Sequence, residues 1–225
     1  MTPSGGHRSS AAWQTWLALA GTMAVGRWLA GGGFGYTLFA CVWAPIATLW
    51  IVPLHLGRRY VLSAICVVAL FAVGWLPGRP VLSTLELTAC LTMFVSVSLS
   101  IRRLLAVLSD MSEGLATLVW LAAVAVPLLM SDTIAHAVGE ATAAAWAGYS
   151  PILVANAADA TAGDWTHQQI AYATLTRLGQ SVGFDWPGRT AYWIYGVIGL
   201  LGHIVPRGTM NSYGRRGVHE VAVDG

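Results

Sequence analysis

Charged residues are scarce in this sequence, and lysine is missing altogether. The 225 residues include 12 basic residues, all of them arginine, and 10 acidic residues. Charged residues make up 10% of the chain, whereas a soluble domain carries about 25%. The net charge is only +2 and no basic run is present, so the chain cannot collect the successive phosphates of a nucleic-acid backbone. No nucleic-acid partner is therefore expected.

Cysteine is also rare and shows no pairing pattern. Cys41, Cys66 and Cys90 each lie inside a long uncharged run. Their odd number and the lack of a C-x-x-C spacing exclude a disulfide scaffold. A buried cysteine in apolar surroundings behaves as a small hydrophobic residue, so packing is favoured over a thiol or metal role.

Hydrophobic residues, by contrast, fill 56% of the chain, and the mean hydropathy is +0.63. Several uncharged runs approach the roughly 20 apolar residues that a membrane helix needs. The sequence therefore predicts an all-α fold, with one polytopic membrane domain over 1–206 and a cytoplasmic tail over 207–225. The transmembrane helices, about six in number, are expected near residues 11–30, 36–55, 60–76, 81–101, 114–131 and 189–206. A signal peptide is the alternative for the first run, although its basic segment is poor.

Two further stretches lie between the fifth and sixth predicted spans. Residues 141–158 are uncharged, but Gly148, Pro151 and Asn156 interrupt them. These interruptions favour a membrane-surface or re-entrant segment over a seventh span. Residues 165–182 show the apolar period of one helix face, which predicts an amphipathic helix along the external membrane surface.

The arginines predict which side of the membrane each loop occupies. Pairs at 58–59, 102–103 and 215–216 follow the second, fourth and sixth spans. Arginine is enriched in cytoplasmic loops, and this arrangement places eight arginines inside and four outside. Both termini are therefore predicted to be cytoplasmic, in a bacterial inner membrane. The lipid bilayer is the first expected partner, and the connection between the fifth and sixth spans lies outside.

Motifs that carry catalysis are missing. The sequence contains no G-x-S-x-G, no H-E-x-x-H, no P-loop and no dinucleotide fingerprint. His55 and His203 are placed at similar depth, yet one such pair favours interfacial histidines over haem ligation. The chain is therefore expected to be no enzyme and to carry no cofactor.

Glu86 is the only acidic residue well inside a predicted span. An ionisable group at that depth is expensive to leave unpaired, so it is a functional candidate by default. Water or Arg79 is expected to reach it. A structural pairing and a proton or ligand role both remain open.

Asp132, His136 and Glu140 recur every four residues where the fifth span emerges outside. On one continuous helix they would share a face. Two carboxylates and an imidazole are ligands for a divalent cation, and an imidazole changes charge between about pH 5 and 8. The pattern predicts either a cation- or proton-binding site of unknown metal preference or a solvated helix face.

The stretch 36–126 resembles the membrane-associated sensor (MASE-type) domains of bacterial cyclases and histidine kinases. A Trp-x-Pro motif in the second span precedes a Gly-Arg turn, a Thr-Leu-Glu motif lies in the fourth span, and an Arg-Arg pair closes it. The residues that carry the resemblance are Trp43, Pro45, Glu86, Arg102 and Arg103. Ala44, Ala47 and Ser83 stand where that family usually has proline, glycine and asparagine.

The resemblance implies a signal-receiving membrane module. The sequence therefore favours a non-enzymatic sensory or interaction module with protein partners in the membrane. The alternative is a subunit of a multi-protein membrane complex for secretion, conjugation or transport.

Overall fold

The computed structural model describes residues 6–30, 33–52, 58–77, 79–106, 111–129, 131–159 and 191–204. Throughout these ranges the chain forms helices and turns, with no strand, so the all-α prediction is confirmed for them. The helices are α1 Gly6–Leu29, α2 Gly33–Ile51, α3 Arg58–Val73, α4 Val81–Leu105, α5 Ser112–Leu129, α6 Ser131–Val138, α7 Glu140–Gly148, α8 Pro151–Ala158 and α9 Tyr192–Ile204. The predicted external helix at 165–182 and the tail at 207–225 lie outside the described residues.

A helix occupies each of the six stretches in which a span was predicted. Within the described ranges, one of them, α4, is long and apolar enough to cross a bilayer. Shorter apolar helical stretches of 10–17 residues lie in α2, α3, α5 and α9. Helix α4 is therefore the element that most directly supports a membrane location.

Helix α4 forms the centre of the bundle and contacts α2, α3, α5, α8 and α9. Its closest neighbour is α9, whose glycines face small or flexible side chains of α4. A Cβ atom added at Gly199 would lie 2.5 Å from Ser96 Oγ, and one added at Gly202 would lie 2.6 Å from Ser100 Cβ. Ser100 also donates to the Gly199 carbonyl at 2.7 Å. Glycine therefore allows the two helix backbones to approach closely.

The segment 141–158 is not one membrane-spanning helix. It is divided between α7 and α8, and the break falls at the residues between them, where Ser150 accepts a hydrogen bond from the Leu153 N–H at 3.3 Å. Helix α8 packs against α2 and α4, with Leu153, Val154 and Ala155 buried. A seventh continuous span is therefore wrong. A surface position is wrong for α8, which is buried against α2 and α4, whereas the re-entrant alternative stays a prediction.

Candidate functional site

The three residues expected to share one external helix face are divided between two helices. His136 lies in α6 and Glu140 begins α7, and Gly139 between them has a φ of +92°. A left-handed residue ends a regular helix, so the predicted continuous face is wrong. The His136 and Glu140 side chains are exposed, and that of Asp132 lies outside the described part. No group of three potential metal ligands comes together among the side chains that the structure describes.

Glu86 lies on α4 and is half-buried. The carboxylate that binds Arg79 in the structure is that of Asp159.

Of the residues that carry the family resemblance, Pro45 is buried within α2, whereas Trp43 is 46% exposed and contacts the Phe39 ring. The Trp43 side chain therefore faces partly away from the core.

A buried ion pair that the sequence did not predict joins the α3–α4 connection to the end of α8. Arg79 lies just before α4, and its Nη1 atom donates to the Oδ1 atom of Asp159, the residue that follows α8. The Arg79 and Asp159 side chains are 6% and 0% exposed. Solvent therefore screens this pair little.

Thr37 of α2 connects the members of this group, here called the Arg79 cluster: Arg79, Asp159, Thr37 and Trp75. Thr37 Oγ1 donates to Asp159 Oδ2 at 2.9 Å, and it accepts from Trp75 Nε1 at 3.2 Å and from Arg79 Nη2 at 3.3 Å. Thr37 and Trp75 are fully buried. One hydroxyl thus uses its proton and both lone pairs, and the cluster fixes α2, α8 and the α3–α4 connection to each other.

Two buried polar atoms near this cluster in the chain have no hydrogen-bond partner among the described residues. They are Asn156 Oδ1, three residues before Asp159, and Ser83 Oγ, four residues after Arg79. Buried polar atoms are normally paired with protein or water, so these two unpaired atoms are exceptions in the helices that the cluster connects. The Arg79 cluster is therefore the best candidate functional site in the described part of the chain.

A second ion pair lies at the other end of α4. Arg102 in its last turn donates through Nη1 to the Val52 carbonyl at the end of α2, and through Nη2 to Glu113 in the first turn of α5. We call these three residues the Arg102 cluster. The Arg102 side chain is 6% exposed and that of Glu113 is 29% exposed. This cluster is therefore open to solvent on its acidic side.

Glu113 lies just before the predicted span 114–131. A hydrogen bond from its own backbone N–H and the interaction with Arg102 lower the pKa of the Glu113 carboxyl, although partial burial opposes them. The charged form of Glu113 is thus favoured in the folded protein.

Comparison of the chain with protein-family models, curated proteins and solved structures finds no match. The resemblance to MASE-type domains therefore stays a prediction. The chemistry of the Arg79 cluster is that of a guanidinium, a carboxylate and a hydroxyl. These groups can bind an ion or a polar molecule in place of one another.

Proposed function

We propose that the chain is a multi-spanning protein of a bacterial inner membrane, with six spans and both termini in the cytoplasm. Thr37, Arg79 and Asp159, which the arginine pattern assigns to the external side, contact each other in the structure. Val52, Arg102 and Glu113, assigned to the cytoplasmic side, also contact each other. Both sets of contacts support the proposed alternation of the spans.

Reporter fusions test this topology. A reporter that is active only outside the cytoplasm should be active when fused after Asp159 and inactive when fused after Gly225. A cytoplasmic reporter should give the opposite result at both positions. Activity of the external reporter after Gly225 would contradict the six-span arrangement. Activity of the cytoplasmic reporter after Asp159 would place the Arg79 cluster on the cytoplasmic side, contrary to the proposal.

We further propose that this membrane protein is a non-enzymatic sensory or interaction module that receives its signal at the Arg79 cluster. The observation that carries the proposal is the buried Arg79–Asp159 pair, since it connects α8 to the rest of the bundle. A ligand that competes for either charge would release α8 from that connection. The resulting helix movement would reach a protein partner in the membrane.

One feature favours the alternative function, a subunit of a larger membrane complex. Helix α9 exposes a row of large apolar side chains, among them Trp193, Val197, Leu200 and Leu201. This row faces lipid in an isolated protein, and it would face a neighbouring subunit in a complex.

Affinity purification in a mild detergent separates the two functions. The wild-type protein and Asp159→Asn are compared, and Glu140→Gln serves as a matched control because it neutralises an exposed acid. A sensory module should recover a kinase or cyclase whose activity changes in Asp159→Asn and not in Glu140→Gln. A fixed set of membrane subunits recovered equally with all three proteins would support the complex and contradict a signal at the Arg79 cluster.

A further inference from the structure

An apolar groove runs along the surface of the bundle between α3 and α4. Its volume is about 390 Å³, and its walls include Val61, Ile65 and Val68 from α3 and Val95 and Leu99 from α4. The α4 wall extends from Thr88 to Leu99, which corresponds to about 16 Å at the helical rise of about 1.5 Å per residue. The length and the volume of the groove are therefore sufficient for a large part of a hydrocarbon chain.

The two threonine hydroxyl groups in this wall need no partner from an occupant. Thr88 Oγ1 donates to the Thr84 carbonyl at 2.7 Å, and Thr92 Oγ1 donates to the Thr88 carbonyl at 2.7 Å. Their protons are thus used within α4. An apolar occupant would leave neither donor unsatisfied.

One end of the groove is polar, and a positive charge lies next to it. His203 of α9 lines the groove, and its Nδ1 atom lies 2.7 Å from Arg103 Nη1. A guanidinium only donates, so Nδ1 is the acceptor and the imidazole proton is on Nε2. The His203 and Tyr60 rings also pack nearly at right angles, with their centroids 6.4 Å apart. Arg103 thus keeps its charge and further N–H donors, and no carboxylate binds it among the described residues.

From this geometry we propose that the groove binds an anionic phospholipid, with one acyl chain between α3 and α4 and the phosphate at Arg103. The charge at one end and the apolar length behind it are complementary to such a lipid. Basic pockets between helices on the cytoplasmic side of a membrane bind anionic headgroups, and the arginine pattern places Arg103 on that side. This assignment rests on the membrane location proposed above, but not on the sensory role.

Native mass spectrometry of the purified protein in detergent tests the headgroup contact. Phosphatidylglycerol and phosphatidylcholine with identical acyl chains are added in parallel. An arginine near an anionic headgroup contributes enough for a preference of about fivefold for phosphatidylglycerol. Arg103→Gln should abolish this preference and Arg103→Lys should retain it. Equal binding of both lipids to the wild type, or an unchanged preference in Arg103→Gln, would overturn the proposal.

The acyl-chain contact has its own test. Val61→Trp should block the groove, and because Val61 is 54% exposed the larger side chain is tolerated by the fold. Val81→Trp is the matched control, since Val81 is exposed and lies outside the groove. Val61→Trp should reduce phosphatidylglycerol binding several-fold while Val81→Trp leaves it unchanged. Equal binding by the two variants would contradict an acyl chain in the groove. Lipid binding is measured without reporters or partners, so its failure is distinct from a failure of the topology or of the sensory role.

Discussion

The two ends of α4 carry ion pairs of different character. In the Arg79 cluster both charged side chains are buried, and Thr37 and Trp75 surround them. In the Arg102 cluster the arginine is buried but Glu113 is 29% exposed, and the arginine also binds the Val52 carbonyl. One cluster is thus closed to solvent, and the other is partly open.

Because of this difference in exposure, the loss of one charged partner should destabilise the two ends of the bundle to different extents. A closed pair depends on both partners, because removing one leaves a buried charge without compensation. A partly exposed pair is weaker, since solvent can replace part of what a lost partner provided. From Val81, the first residue of α4, to Arg102 the helix covers about 32 Å at a rise of about 1.5 Å per residue, which is close to the thickness of a hydrocarbon core. The sensitive cluster is therefore at the end that we propose to receive the signal.

The largest effect is expected for Asp159→Ala. This change leaves Arg79 buried without its carboxylate, so the free energy of unfolding should fall by about 3–5 kcal/mol. Thermal unfolding in detergent, followed by the helical circular dichroism signal, measures the loss. The double variant Arg79→Met with Asp159→Leu removes both charges and should recover much of the stability. If Asp159→Ala alone is neutral, the closed character of the Arg79 cluster is disproved.

A smaller loss is expected for Thr37→Val, which keeps the shape of the side chain and removes the hydroxyl. Asp159 loses a donor, and Trp75 Nε1 loses its acceptor in a buried place. The expected loss is about 1–3 kcal/mol. Thr22→Val is the matched control, because the exposed Thr22 hydroxyl donates only to the Ala18 carbonyl of its own helix. Equal stabilities of these two variants would show that the Thr37 hydroxyl adds nothing to the cluster.

Helix positions were predictable from the sequence because they depend on local patterns. The Pro77–Pro80 turn predicted that a helix begins at position 81, and α4 begins there. Likewise, Gly148 and Pro151 predicted an interruption, and the break between α7 and α8 falls between them. Glycine and proline affect the backbone over only a few residues, so helix starts and interruptions can be predicted from the local sequence.

The Arg79 cluster was not predictable in the same way. Arg79 and Asp159 are 80 positions apart, and both were assigned to external loops in contact with water. No local pattern indicates that α8 enters the bundle and brings Asp159 to Arg79. The continuous face of His136 and Glu140 failed for the opposite reason, because one glycine outweighed a four-residue periodicity. The ion-pair partners of charged residues at helix ends are therefore decided by tertiary packing, which the local sequence does not show.

The smallest effect is expected at the partly open end, for Glu113→Gln. The glutamine keeps the size of the side chain and removes its charge, while Arg102 retains the Val52 carbonyl. The exposed part of Glu113 is hydrated in either case, so the loss at pH 7 should be about 1 kcal/mol or less. Unfolding in detergent at low ionic strength measures it, and added salt should shrink the difference between wild type and variant.

The pH dependence of this difference identifies its source. The pKa of Glu113 is lowered in the folded protein, so its charged form stabilises the fold above the ordinary pKa of glutamate. That stabilisation is lost as the pH falls through the lowered pKa, because the carboxyl is then protonated in both folded and unfolded protein. The difference between the wild type and Glu113→Gln should therefore be largest near pH 7 and vanish at acidic pH. A stability difference that stays constant over this pH range would assign the effect of Glu113 to packing rather than to its charge. The Arg79 and Arg102 clusters would then differ in the burial of their side chains alone.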